Sequence, residues 1–234
     1  EVAMVGQAEV TQLRQVQSGI LALLSESLTA FFASLDLAKP DVARDALLEY
    51  LPLLVEQYGD AGAAAAADWY DEARDAERVR GRYRAQVAAP VATDVVEASV
   101  RFSAGHLYTA TPALALPSLL SSSSKQVLLP ARFTVMRAAE RDPRAVGWQR
   151  VTRSGGCKFC RFLAQRGAVY RERVADFAAH GDCNCATVPS WDQDAPEVDV
   201  QAYVASRKTA AMSPAERAEH TAKLRDAVDA FVDD

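Results

Sequence analysis

The stretch CKFCRFLAQRGAVYRERVADFAAHGDCNC, residues 157–185, contains every cysteine of this 234-residue chain. The four cysteines are Cys157, Cys160, Cys183 and Cys185, and His180 lies three residues before the third of them. Cysteines that only fill a hydrophobic core are not expected to gather in one short stretch. The clustering therefore predicts a local cross-link that fixes the fold of this part of the chain.

The spacing of these residues is typical of a metal site. Two thiolates separated by two residues can bind one ion from a single turn, and the glycines before Cys157 permit that turn. A second pair of ligands must then come from His180 with one or both of the later cysteines. Sulfur and imidazole in tetrahedral geometry are what Zn²⁺ prefers. We expect a structural zinc ion bound by four of five candidates, and the spacing does not choose between the last two: Cys157, Cys160, His180, Cys183 and Cys185.

Three other interpretations of the cysteines stay open at this point. The four could form two disulfides in any of three pairings, although the N-terminal residues do not have the pattern of a secretory signal peptide. The Cys-x-x-Cys could be a redox pair, although no thioredoxin-like alternation of strands and helices surrounds it. The residues could also be ordinary core.

The sequence contains little that predicts catalysis. A cysteine with a histidine suggests a thiol nucleophile, but all four cysteines belong to the candidate metal cluster. The other two histidines, His106 and His220, are isolated. No glycine-rich phosphate loop, Gly-x-Ser-x-Gly or His-Glu-x-x-His motif occurs. We therefore expect no catalytic residues and a role other than that of an enzyme.

Composition excludes two broad classes of protein. Half of the residues are apolar, and 26 Lys and Arg stand against 31 Asp and Glu, which is not the composition of a disordered chain. No uncharged apolar run approaches the roughly 20 residues of a membrane span, which excludes a multi-pass membrane protein. We expect no membrane partner.

The charge changes sign along the C-terminal part of the chain. Residues 141–190 hold nine basic and four acidic side chains, whereas residues 191–234 hold five basic and ten acidic ones. This pattern is either an ordinary solvated surface or a basic module that meets DNA or an acidic partner while the acidic tail shields it. The candidate contact residues are Arg150, Arg153, Lys158, Arg161, Arg166, Arg171 and Arg173.

The N-terminal part is predicted to be helical. In the second predicted helix, which begins at Pro40, we expect Pro52 to kink or split the helix and Gly59 and Gly62 to interrupt it. The charged residues 71–84 should line the solvated face of a helix, and the serines 121–124 read as a linker or an exposed loop tip. The first helix has an apolar stripe at spacings of three and four, formed by Leu13, Val16, Ile20, Leu24, Leu28 and Phe31.

From Gly147 onward the pattern favours a small mixed module. A weak strand pattern at 148–153, a short helix at 159–165 and a short strand at 183–188 ended by Pro189 are predicted. Residues 213–216 form a capping box before a last helix with Leu224, Val228 and Phe231 on one side. The predicted fold class is mainly α, with a helical N-terminal part, a small α+β Cys/His (zinc-type) module near the C-terminus and a terminal helix.

These C-terminal residues resemble a known family. Cys157-Lys-Phe-Cys160, the segment Arg166-Gly-Ala-Val-Tyr170, His180-Gly-Asp-Cys183-Asn-Cys185 and the following Val188-Pro189 resemble the signature of the Mu F-like head morphogenesis proteins, which are minor capsid proteins of tailed bacteriophages. The resemblance covers residues 147–191. Gly181-Asp182 stands where many members have Pro and Asn. The helix 58–74 is also similar to members from phages of actinobacteria.

The resemblance implies a structural role at the portal or inner capsid surface, in head assembly or in DNA packaging or ejection. It implies phage portal protein and capsid or head proteins as partners, with packaged DNA as a further candidate, and a location in the virion or, during assembly, in the host cytoplasm. The chain would divide into a helical portal-contact region 1–146, the Cys/His module 147–191 and an acidic tail with a helix, 192–234. The alternatives are a zinc-stabilised DNA-binding module of a bacterial protein and a thiol-dependent enzyme.

Overall fold

The computed structural model of the chain describes residues 5–152, 156, 158–165, 170, 183, 185–195, 212–219 and 221–223. These residues fall into two compact units. The helical unit contains the described residues from Val5 to Ala138 together with Cys183, and the C-terminal unit contains the remaining ones from Ala139 onward. The predicted three-part division into 1–146, 147–191 and 192–234 stays a prediction.

Four helices and two short 3₁₀ turns make up the first part of the chain. They are α1 (Gln7–Ala33), α2 (Pro40–Ala76), α3 (Thr93–Ala104), the turns Gly105–Tyr108 and Pro112–Leu114, and α4 (Ala115–Arg141). Helix α4 ends at Arg141, directly before Asp142-Pro143, because the residue before a proline disfavours the helical conformation.

The core of the helical unit lies where α1, α2, α3 and α4 meet. Leu24 and Leu28 of α1 are fully buried, and Phe32 continues the same row at a spacing of four. Burying one such side chain contributes about 1.5–3 kcal/mol. The predicted stripe of α1 is wrong at Val16, which is 39% exposed; Gln17 takes the buried position instead. The other buried core residues include Leu47, Leu51, Leu54, Val96, Val100, Leu119 and Val127.

Pro52 does not split the second helix, because α2 runs without interruption for 37 residues, and the alternative of a kink stays a prediction. Proline inside a helix costs about 3 kcal/mol, since it removes one hydrogen bond and crowds the preceding turn. Leu51 and Leu54 on either side are buried in the core, as is Val55. This packing offsets the local cost and holds the helix together.

Gly59 and Gly62 also lie inside α2 and do not interrupt it. A Cβ atom at Gly59 would lie 3.3 Å from Cγ of Pro130, and one at Gly62 would lie 3.5 Å from Cδ1 of Ile20. The two glycines therefore allow α4 and α1 to approach the backbone of α2 closely. Close packing of neighbouring helices, rather than a break in the helix, explains the presence of these glycines.

The charged residues 71–84 do not form one solvated helix face, because α2 ends at Ala76 and a loop follows. Arg74 is buried and donates hydrogen bonds to the carbonyl oxygens of Val79 (3.2 Å), Arg80 (3.2 Å) and Gly81 (2.8 Å). Gly81 has a φ of 90°, which favours glycine. The guanidinium of Arg74 thus satisfies three carbonyls at the turn that ends the helix.

The serine run 121–124 is neither a linker nor a loop tip; it lies within α4. Ser122 donates its hydroxyl proton to the Leu119 carbonyl (3.1 Å), and Ser123 is completely buried. Beside the run, Gln126 donates to the Ser99 hydroxyl (2.8 Å) of α3. Serine is a poor loop marker here because its hydroxyl can bond back to the helix carbonyls and its small size permits close packing.

The C-terminal unit contains a two-stranded antiparallel sheet and a short helix. Strand β1 (Gly147–Val151) pairs with β2 (Ala186–Ser190), and α5 (Lys158–Gln165) lies between them in the sequence. Tyr170 bridges to Trp148 of β1, and the two rings stack with centroids 4.2 Å apart. Contrary to the prediction, β2 begins three residues after Cys183 and includes Pro189.

The predicted capping box at the last described helix is confirmed. The Ser213 amide donates to the Glu216 carboxylate (2.8 Å), and the Glu216 amide donates to the Ser213 hydroxyl (3.4 Å). These bonds from Ser213 lower the pKa of the exposed Glu216 carboxyl. Leu224, Val228 and Phe231 lie outside the described residues. The predicted fold class, mainly α with a small α+β part and a terminal helix, is confirmed.

Helix α1 is, among the described residues, the single helix long and apolar enough to cross a membrane by length and composition. One such helix is weak evidence for a span, because core helices and signal sequences meet the same criteria. In this chain Leu24 and Leu28 of α1 pack in the core described above.

A glycine at a helix contact, Gly59, and a glycine on an open helix surface, Gly19, should respond differently to substitution. Gly59→Leu should lower the free energy of unfolding by about 1–3 kcal/mol, because the side chain must enter space held by Pro130. The matched control is Gly19→Ala in α1, where no atom lies within 4 Å of the added Cβ. This control should raise the free energy of unfolding by about 0.5–1 kcal/mol, because alanine is the better helix former. Urea denaturation of both variants measures the difference, and equal effects would contradict the close approach.

Candidate metal centre

A cysteine of the Cys-x-x-Cys pair and the two later cysteines, more than 20 residues away, come together in the structure. The Sγ atoms of Cys160, Cys183 and Cys185 all lie within 4.8 Å of one another. Each residue is at most 3% exposed. Cys160 lies on α5, and the other two cysteines lie in the segment that precedes β2.

Secondary structure fixes the positions of these sulfurs. The segment of Cys185 leads directly into β2, whose pairing with β1 holds Ala186 opposite Val151. Helix α5 packs against β1, which brings Cys160 to the same strand. The two described cysteines before β2 are two residues apart, and both reach the cluster. The sequence did not choose between Cys183 and Cys185, and the structure brings both to the cluster.

The donor set fits a metal ion that prefers sulfur. With a metal–sulfur distance of about 2.3 Å, tetrahedral ligation places sulfurs about 3.8 Å apart, which small side-chain movements can reach from this arrangement. All three residues are present as thiols. A disulfide would engage two of the three sulfurs, whereas one ion would use all of them. Three buried thiols within binding distance are thus compatible with a metal site.

Two predicted ligands, Cys157 and His180, lie outside the described residues. The ligand set of four from five candidates therefore stays a prediction.

The side chain of Arg132, on α4, binds the backbone carbonyl of Cys183. The sequence did not predict this residue as part of the site. Its side chain is 1% exposed, and Nη2 donates a hydrogen bond to the carbonyl oxygen of Cys183. Hydrogen bonds that involve a charged donor are roughly twice as strong as neutral ones. The one indication in the sequence is a basic residue among apolar positions, since Leu128, Ala131 and Val135 are also buried.

A buried carboxylate anchors the end of the small sheet. Trp191 follows β2 directly and donates its indole N–H to Oδ2 of Asp142 (3.2 Å). The amide of Arg144 donates to Oδ1 of the same carboxylate (3.0 Å). Asp142 is 2% exposed. This carboxylate ties the chain before β1 to the chain after β2 at one end of the sheet, and Cys185 precedes β2 at the other end.

The seven basic candidates for DNA or acidic-partner contact lie in different environments. Arg150 of β1 is 4% exposed, Arg161 of α5 is partly buried and Lys158 is exposed. The other four, Arg153, Arg166, Arg171 and Arg173, lie outside the described residues. The contact itself stays a prediction.

Comparison with known protein families shows which family the chain belongs to. The model of a family described as VG15 protein matches residues 4–210. The chain belongs to the VG15 family. This is a family of viral proteins, so the predicted viral origin is confirmed and the protein is one of the virion or of the infected host cell. No curated protein and no solved structure matches the chain.

The geometry predicts a metal content that can be measured on this VG15 protein. The purified, reduced chain should hold about one equivalent of a thiophilic divalent metal, and a chelator should free cysteine thiols. Cys160→Ser should lower the metal content and the thermal stability, whereas the control Arg82→Gln, at an exposed position after α2, should change neither. Elemental analysis with a thiol count measures this. Four reactive thiols and no metal in the reduced chain would contradict the site.

Arg132 gives a second prediction for this centre. Arg132→Met removes a buried donor from the Cys183 carbonyl and should lower the free energy of unfolding by about 1–3 kcal/mol. Arg137→Met, at an exposed position on the same helix, should change it by less than about 0.5 kcal/mol. Denaturation of the metal-loaded proteins compares the two, and equal effects would contradict the anchoring role.

Proposed function

We propose that this protein is a minor capsid, or head morphogenesis, protein of a tailed phage, of the Mu F-like kind. The observation that carries the proposal is the VG15 match over residues 4–210 combined with the clustering of Cys160, Cys183 and Cys185. The match supports the proposal because it places the chain in a viral family. The cluster supports it because it brings together three cysteines of the segment that resembles the Mu F-like signature.

We propose further that the bound metal is zinc and that its role is structural. Zn²⁺ favours thiolate with imidazole, and three sulfurs with one further ligand from Cys157 or His180 would close a tetrahedral site. A closed site leaves no position for a catalytic water. Such a closed site would support a role other than that of an enzyme.

The helical unit has exposed surfaces that suit binding to other proteins. Its long helices α1 and α2 expose apolar side chains, including Leu23 (51%) and Leu53 (63%), that a partner could cover. Portal and head proteins are the partners that the proposal names, at the portal or the inner capsid surface. The protein would then be a component of the virion in few copies.

Quantitative mass spectrometry of purified phage tests the proposal. We expect this chain in the head fraction after the tails are removed, in far fewer copies than the major capsid protein. Co-expression with the tagged portal protein of the same phage should give a complex that survives gel filtration, with tagged tail protein as the control. A chain absent from virions and from the portal complex would refute the proposal. Sequence-specific binding to a promoter in that case would favour the DNA-binding module instead.

A further inference from the structure

The loop after α2 presents an unusual run of arginines. From residue 78 to residue 84 every second residue is arginine, and no acidic residue lies in that run. The rest of residues 5–138 contains eight basic and fifteen acidic side chains, so the run is a local excess of positive charge on an acidic unit. All four arginines of this arginine loop are exposed: Arg78, Arg80, Arg82 and Arg84.

Side chains of α2 hold the backbone of the arginine loop in place. The buried Arg74 holds the carbonyls of three successive residues, 79–81, as described above. The ring of Tyr83 packs edge-on against the buried Tyr70, with centroids 5.9 Å apart. Beyond the loop, the Ala85 amide donates to the Asp71 carboxylate (3.0 Å). A loop that is already ordered loses less conformational entropy when a ligand binds.

Three of the four arginines are available for a ligand. Arg84 lies 3.3 Å from the Asp71 carboxylate, although its side chain remains 76% exposed. Within the described part of the chain, the guanidinium groups of the other three make no salt bridge. A cavity of about 370 Å³ lies beside Arg82 and Arg84, and its lining consists of Arg74, Asp75, Gly81, Arg82, Tyr83 and Arg84. Its lining has more positive than negative side chains.

The chemistry of the arginine loop fits phosphate better than a protein surface. Guanidinium groups bind phosphate oxygens in pairs, and the loop uses arginine at all four positions without a lysine. Protein interfaces usually need apolar or aromatic anchors, but the one aromatic side chain of the loop, Tyr83, already packs against Tyr70. Single-stranded bases stack on successive aromatic side chains, and the arginine loop contains one. The remaining ligand is the sugar–phosphate backbone of a duplex.

We propose that the arginine loop, Arg78 to Arg84, binds the phosphate backbone of double-stranded DNA without sequence preference. These residues differ from the seven C-terminal candidates named from the sequence. The proposal that the DNA is the packaged genome rests on the proposed function, whereas the binding itself does not. Phosphate contacts of this kind position a protein on DNA but do not read its sequence.

The test uses the full metal-loaded chain and a fluorescent duplex of about 25 base pairs, titrated between about 50 and 200 mM salt. The triple variant Arg78→Gln/Arg80→Gln/Arg82→Gln should bind roughly tenfold more weakly or worse at the lower salt. Its slope of log affinity against log salt should fall by about 2–3, since each lost phosphate contact contributes about 0.9. The melting temperature should be unchanged, because these side chains make no salt bridge among the described residues.

The matched control removes the same charge elsewhere in the helical unit. Lys39→Gln/Arg101→Gln/Lys125→Gln should keep both the affinity and most of the salt slope. Equal losses in the two triple variants, or no loss in the arginine-loop variant, would overturn the proposal. Binding of an acidic polypeptide such as polyglutamate in preference to the duplex would also overturn it. Retained portal binding by the arginine-loop variant would separate this result from the proposed function.

Discussion

The close approach of α1 and α4 to the backbone of α2 is the constraint on which the rest of the helical unit depends. At Gly62 the side chain of Ile20 from α1 lies against the α2 backbone, and at Gly59 the ring of Pro130 from α4 does so. Because helix separation depends on the side chains at the contact, larger residues at these two positions would push the axes apart. The buried leucines of α1 and α2 could then no longer interlock.

The stability of the small C-terminal unit depends on other interactions, among them the cysteine cluster. A sheet of two five-residue strands with one eight-residue helix buries too little apolar surface to be stable without further cross-links. Stacked Trp148 and Tyr170 and the buried Asp142 each fix one part of this small unit, which also supplies Cys160 and Cys185 to the cysteine cluster. A metal ion at the thiols would add a bond network that a small core cannot supply.

The sequence predicted the features that depend on spacing. The apolar repeat gave α1, the Ser213–Glu216 box gave the last described helix, and the cysteine spacing predicted that residues 20 or more positions apart would meet. It failed where tertiary packing overrides local preference. Pro52, Gly59 and the serine run are helix breakers in isolation, but each lies in a helix held by buried neighbours. Arg132 was missed because its partner lies 51 positions away, and a basic residue among apolar ones does not identify that partner.

The anchoring of the loop by Arg74 has a consequence for proteolysis. Four exposed arginines would ordinarily make residues 78–84 an easy target for a trypsin-like protease. Such an enzyme must bind the chain in an extended form, which requires the carbonyls of residues 79–81 to leave the Arg74 guanidinium. Cleavage would therefore wait for a local opening of the C-terminal end of α2, and its rate would report the free energy of that opening.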